Sequence, residues 1–459
     1  MKFPHFHFQK KRFQGENFQK KKFDLPDFII RKSRAIEKVF IVMVLISAVM
    51  APFVEVNYDL TEYLPDSVES RQGLNIMEDT FGYPGTARVM IKDVTLYEAK
   101  AYKDRLEKVD GVDRILWLDT GTNVFSGEGF IDYTSIDQYY KDDCAVMDVI
   151  FEEGDTSKKT SAAIDDMKEI TGEKGCYVGM AVQDKSVAKN VRSEMQMILV
   201  IGVFMIFLVL CLTTNSWVEP FLYLTVMGVA VVINKGTNLF LGEISFLTNS
   251  VSAVLQLAVS MDYSIFLIHA FTRYKKAGMG QTEALRAAID EALNSIFASS
   301  LTTIVGFIVL VFMRFSIGYD MGIVLAKGIV CSLLTVVLFM PAMIIRLAGW
   351  MERTAHRPFL PEFDRLSRGI YRVRYLVLAV VAVLVLPAYT AQGMNSYMYG
   401  NDAVGAGEGT EVYADEQEID RIFGRSNMMM ALVPSGDNVR EREFSQELSD
   451  LPYTTTVMF

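Results

Sequence analysis

The stretch LAVSMDYSIFLIHAF, Leu257–Phe271, is apolar enough to lie in lipid, yet it carries Asp262 followed by Tyr263 in its middle. Extended back to Phe246, the run has the length a helix needs to cross a hydrocarbon core of about 30 Å. A carboxylate at mid-bilayer costs about 2.5 to 3.5 kcal/mol on insertion scales, so it persists only with partners or work to do. Six further runs of the same character lie along the chain, at 35–54, 195–212, 218–233, 295–312, 319–347 and 371–389. The composition agrees: 51% of the 459 residues are hydrophobic and only 22% charged. The expected class is therefore a membrane α-helical protein with seven spans.

Charge in the loops orients the spans. Residues 1–38 hold eleven Lys and Arg against Glu16, Asp24, Asp27 and Glu37, and the connection 346–374 holds seven Arg against Glu352, Glu362 and Asp364. Both belong in the cytoplasm by the positive-inside rule, giving a multi-pass plasma-membrane protein with a cytoplasmic N-terminus. Residues 55–194 then lie outside, with 16 basic against 29 acidic residues. That acidity argues against a nucleic-acid partner. Phe8, Phe13, Phe18, Phe23 and Phe28 recur every five residues in the basic tail. No helix or strand collects that period on one face, so the tail reads either as disordered or as adsorbing to anionic lipid.

Cys144, Cys176, Cys211 and Cys331 form no metal or thioredoxin spacing. Cys144 and Cys176 share the outer domain and could pair, but free thiols are the preferred reading. No Walker, H-E-x-x-H or G-x-S-x-G motif is present, so the chain reads as neither an enzyme nor a cofactor or metal binder.

The outer segment has an order of its own. TARVMIKD, VDRILWL, CAVMDVIF and CYVGMAV read as strands, with TLYEAKAYKDRLEKV and SKKTSAAIDDMKEIT as helices and 119–143 as an insertion. This is β-α-β-β-α-β, the ferredoxin-like pattern of an α+β domain. The order begins again after the seventh span: Phe81-Gly82 aligns with Phe423-Gly424, Leu106 with Leu448, and Ile115 to Trp117 with Val457 to Phe459. One constant offset across matching elements predicts a duplication whose second copy is incomplete, so that the chain reads as a fragment or a natural half.

Depth along the spans gathers the candidate site. At about 1.5 Å per residue, Asp262 lies about 14 Å above the inner boundary and Lys327 about 13 Å below the outer one. The two are expected within one turn of the same depth. Thr302 and Thr303 reach a similar level, Ser299 shares their face, and Gln256 and Ser260 lie on the helix of Asp262. We read Asp262, Tyr263 and Lys327 as a proton relay, with Gln256, Ser260, Ser299, Thr302 and Thr303 as its supporting polar network. A small movement of Lys327 would switch Asp262 between its protonated and charged forms. The bland alternative for the hydroxyls is helix-to-helix glue. His269, Asn234, Lys235 and Glu243 read as interfacial residues without a special role.

At this point the residues resemble a known family. One span, an outer ferredoxin-like domain, five clustered spans and a second start of that order is similar to the resistance-nodulation-division (RND) superfamily and its MMPL-type exporters. The local matches are TNSWVEP, LAVSMDYSIFLIHAFTRY, EALRAAIDEALNSIFASSLTTIVGF and LFMPAMI. The resemblance implies a proton-relay role for Asp262 and Tyr263. Ala258 and Ser260 stand where that family usually shows glycines. It implies a basic tail at 1–34, spans at 35–54, 195–348 and 371–390, an outer porter-like domain at 55–194, a cytoplasmic connector at 349–370 and an incomplete second outer domain at 391–459. Export of a hydrophobic or lipid-like substrate, coupled to protons or sodium, is the function implied. Membrane lipids, and either a missing second half or further copies of the chain, are the partners. A SecD/SecF-like translocation subunit and a sterol-sensing receptor without flux are the alternatives.

Overall fold

The computed structural model of the chain describes residues 24–59, 61–65, 67–120, 137–356, 359, 364–395, 407, 409–425, 431, 433–434, 436–452, 454 and 457. A short helix α1 (Leu25–Arg31) leads into α2 (Ser33–Met50), the first of seven helices long and apolar enough to cross a membrane. The others are α6 (Met180–Thr213), α7 (Val218–Thr237), α8 (Phe246–Lys276), α9 (Gln281–Leu310), α10 with α11 (Ser316–Leu334 and Met340–Arg353, joined by a π-turn at Thr335–Phe339) and α12 (Asp364–Gln392). The chain is thus a multi-pass membrane protein. Large apolar side chains such as Leu45, Val200, Val309 and Leu386 are exposed on the outer surfaces of these helices. In lipid that exposure carries no penalty, because the surroundings are as apolar as the side chains.

Close packing holds the bundle together. A Cβ built on Gly236 of α7 would fall 2.3 Å from the Ser47 carbonyl of α2, so only glycine lets these helices cross there. At the end of the bundle far from the sheet domain, Arg286 of α9 pairs with Asp24 and with Asp27, the latter at 3.2 Å, and Arg346 of α11 pairs with Glu37. These contacts hold α1 against α9 and α2 against α11. On the other side, β1 (Glu55–Asn57) and β7 (Glu243–Ser245) form a parallel pair that ties the first span to the fourth, a contact the sequence did not announce.

The domain between the first two spans is a sheet of β2 (Thr86–Ile91), β3 (Val112–Leu116), β5 (Cys144–Phe151) and β6 (Gly175–Val178) in the order β3-β5-β2-β6. All neighbours are antiparallel, and β4 (Tyr140–Lys141) adds to β5. Helix α4 (Leu96–Leu106) connects β2 to β3 and α5 (Lys158–Thr171) connects β5 to β6. Thr95 and Glu98 close α4 with a reciprocal capping box. Alternation along β2 sends Val89 and Ile91 to the face covered by α4 and α5, and Met90 to the other. CYVGMAV is a strand only as far as Val178. Gly179, at φ 116°, breaks it, and Met180 starts α6, which runs without interruption into the second span. The expected insertion falls mostly on 121–136, outside the described residues, as do residues 1–23 of the tail.

The second face of the sheet is covered from far along the chain. Helix α13 (Glu411–Phe423) places Ile419 and Ile422 against Met90, Cys144, Val146 and Cys176. Asp415 accepts the Tyr177 N–H at 2.8 Å, so α13 also caps an amide on the edge strand. Its counterpart in the first copy is α3 (Glu69–Phe81): the bounds 69 and 81 recur as 411 and 423, and each helix stops at a glycine of positive φ, Gly82 and Gly424. Likewise α4 begins at Leu96 and α14 (Asn438–Ser449) at Asn438, the same 342 residues on. The strand expected to follow, at 457–459, lies outside the described residues apart from Val457.

Candidate functional site

Helix α8 carries two different faces through the middle of the bundle. Two residues of helix turn a side chain by about 200°, so Ser260 and Asp262 point in nearly opposite directions. Asp262 is exposed, on a stripe with Ala258, Phe266, His269 and Arg273, and makes no hydrogen bond or ion pair among the described residues. Tyr263, one residue on, is 1% exposed and buried among apolar side chains.

The buried face carries a polar residue at every fourth position: Thr248, Ser252, Gln256, Ser260 and Ser264. Gln256 is its hub. Its Nε2 donates to the Gly328 carbonyl at 3.0 Å and to Ser332 Oγ at 3.1 Å, while its Oε1 accepts from Asn234 Nδ2 at 3.0 Å. Gly328 makes room for this, since a Cβ there would meet Asn234 Nδ2 at 2.8 Å. Lys327 joins the same cluster, donating to Asn238 Oδ1 at 2.5 Å and to the Asn234 carbonyl at 3.2 Å.

These bonds correct two expectations. First, Gln256 and Ser260 do not support Asp262: they belong to the interior, on the other side of α8. Second, Lys327 does not lie level with Asp262. Gln256 meets Ser332, and the Ser245 N–H meets Asp320 at 2.7 Å, which fixes the register of parallel α8 and α10. Lys327 is then level with Val251, eleven residues and about 16 Å above Asp262. The depth estimate failed because Phe271 and Tyr319, the apolar ends it counts from, stand about 27 residues or roughly 41 Å apart in this register, further than a core of about 30 Å.

The hydroxyls of α9 stand differently. Leu267 lines one small apolar cavity with Ala292 and Ile296, which places Ser299 and Thr302 within about two turns of the depth of Asp262. Both are exposed. Thr302 donates to the Ala298 carbonyl at 2.9 Å and half-buried Thr303 to that of Ser299 at 3.0 Å, each bond staying within its own helix. Asn234, Asn238, Ser264 and Ser332 were missed as site residues. The four-residue polar repeat on α8 was the available signal for Ser264; for the others nothing local distinguishes them from interfacial or packing residues.

Outside the membrane, the sheet domain meets the top of α6 at a group of carboxylates. Asp155 accepts the Thr86 N–H at 2.9 Å, with Asp59 and Asp184 near enough to repel it. Burial, opposed by the backbone N–H groups it accepts from, pushes its carboxyl up to about 6. No group of His, Cys, Asp and Glu among the described residues is arranged to hold a metal ion.

Residues 142–372 match the MMPL family. Similar proteins include "Probable transport protein MmpL12" of Mycobacterium tuberculosis, 27% identical over 192 residues, which is 39% of this chain and 16% of that protein. "Probable transport protein MmpL9" of the same organism is 28% identical over 247 residues, or 50% of this chain and 25% of its own length. A membrane protein of Methanocaldococcus jannaschii is 32% identical over 91 residues, 20% of this chain and 24% of its own. The matched parts therefore span a quarter or less of these relatives. The family match runs from β5 through the five clustered spans into α12, half of the sequence, and on that extent the chain belongs to the MMPL family.

Proposed function

We propose that this chain works as a membrane transporter that exports lipidic or amphipathic molecules, driven by a proton gradient. The observation that carries the reading is Asp262: a carboxylate midway along a spanning helix, exposed between Ala258 and Phe266, with no partner inside its own bundle among the described residues. An ionisable group at that depth faces either other helices or a water-filled path, and in both cases it is a candidate for loading and unloading a proton. Ser299 and Thr302 supply hydroxyls near its level. Further helices, from a second half or another copy of the chain, complete that face.

In this reading the four-stranded sheet with its two helices is a ferredoxin-like domain on the outer side of the plasma membrane, and the basic N-terminus is cytoplasmic. The sheet domain guides substrate. Its continuous helix α6 carries movement between the domain and the second span. The relatives named as transport proteins favour export over the receptor alternative.

The test is flux from proteoliposomes containing the protein, with a fluorescent amphiphile as cargo and an imposed pH gradient. Asp262→Asn should insert and fold normally yet lose gradient-dependent export by tenfold or more. Transport at the wild-type rate would make the carboxylate structural and end the relay reading.

A further inference from the structure

The interior faces of α7 and α8 have a set of buried polar atoms that the cluster around Gln256 does not use. Ser260 Oγ, Ser264 Oγ, Tyr263 OH and Tyr223 OH are all enclosed, and none meets a hydrogen-bond partner among the described residues. The four residues are 0 to 1% exposed.

Register brings them to one level. The Asn234–Gln256 bond aligns antiparallel α7 with α8, so Ser260 and Ser264 lie level with the stretch from Val226 to Ala230. The approach of Gly328 to Asn234 aligns α10 with α7, so the π-turn Thr335–Phe339 lies level with the stretch from Tyr223 to Met227. That turn packs against α7. A π-turn widens the helix and leaves a carbonyl without its usual donor, a feature common at functional sites. Three helices thus bring hydroxyls and a loosened backbone to the same depth.

An unpaired buried polar group costs about 1 to 3 kcal/mol, and such groups are rare in native proteins. The two serines could each turn back onto a carbonyl of their own helix. A phenol hydroxyl cannot reach its own backbone, so Tyr223 and Tyr263 need an outside partner.

We propose that a cluster of buried waters occupies the junction of α7, α8 and the π-turn, bound by Ser260, Ser264, Tyr263 and Tyr223. Water suits the site better than a metal cation, since none of the four groups is a carboxylate and buried Glu219, one turn from Tyr223, accepts the Asn215 N–H. The site is separate from Asp262, which lies on the opposite face, and it stands whether or not the chain transports anything. Its consequence is that water reaches the interior of the bundle next to the helix that carries Asp262.

X-ray hydroxyl-radical footprinting of the full chain in lipid nanodiscs tests this, because radicals formed from bound water label the side chains beside it. In the wild type, Tyr223 and Tyr263 should be modified at least tenfold faster than Phe40 and Phe271, which are buried among apolar neighbours. In Ser260→Ala/Ser264→Ala, labelling of Tyr263 should fall several-fold. Wild-type tyrosines labelled no faster than the phenylalanines would overturn the water site, and this arm needs no variant to fold. Fast labelling unchanged in the double variant would overturn the assignment to the serines.

Discussion

Gln256 makes three hydrogen bonds inside the bundle, while Asp262, six residues further on the same helix, makes none among the described residues. Interhelical hydrogen bonds in membranes average about 0.6 kcal/mol. Gln256→Leu removes three and strands Asn234 and Ser332, so it should lower stability by about 1 to 3 kcal/mol, read as a fall in the unfolding midpoint in detergent. An unchanged midpoint would mean the cluster is not holding these helices. Asp155 makes a prediction with a sign. Its carboxyl titrates at about 6 in the folded domain against an ordinary 3.8. The folded state therefore binds its proton more tightly than the unfolded state, and stability contributed by that proton is lost as pH rises from about 4 through 6. Asp155→Asn, which keeps an acceptor for Thr86, should flatten this decline and raise the midpoint at pH 7.5; a lower midpoint there would contradict the account. Asp262 was legible because a lone carboxylate in an apolar run is a local signal. The position of Lys327 was not, because the register of α10 against α8 is set by long-range contacts such as Gln256 with Ser332, which no apolar limit encodes.

Helices and strands carry their own tests. Gly236→Leu should force α2 off α7 and cost about 1 to 3 kcal/mol by overpacking. Gly228→Leu on the same helix, where an added Cβ has nothing within 4 Å, is the matched control and should be close to neutral. Equal losses in the two would remove the close-crossing argument. In the sheet, Cys176 and Val146 both oppose Met90, so β5 and β6 flank β2 and stand about 9.5 Å apart. A disulfide needs Cα atoms within roughly 4.4 to 6.8 Å. Cys144 and Cys176 should therefore stay reduced under mild oxidant, with no change in mobility on a non-reducing gel, and burial pushes the Cys176 thiol up to about 11, which slows its chemistry further. The elements themselves were legible in the sequence: β5 begins and ends where CAVMDVIF does, and α5 follows its Ser157 cap. Their partners were not. That α13 lies across the sheet of the first copy depends on Ile419, Ile422 and Asp415 meeting residues more than 200 positions away, which no local period encodes.

At the scale of the whole molecule, polar residues sit inside the bundle, around Gln256, Asn234 and Lys327 and at the hydroxyls of Ser260 and Ser264, and also at Asp262, which opens outward on a face that its own bundle leaves uncovered. Helix α13 links this to the sheet domain, because it is packed on the face of that sheet through Ile419 and Ile422. A movement of α12, which leads to α13, therefore has a route to the sheet and onward to the second span through α6. The most direct test of the coupling is proton movement itself, followed with a pH dye inside proteoliposomes of the protein when amphiphile is added without an imposed gradient. The account predicts a substrate-dependent pH change in the wild type that a protonophore collapses and that Asp262→Asn lacks; substrate flux with no accompanying proton movement would contradict it.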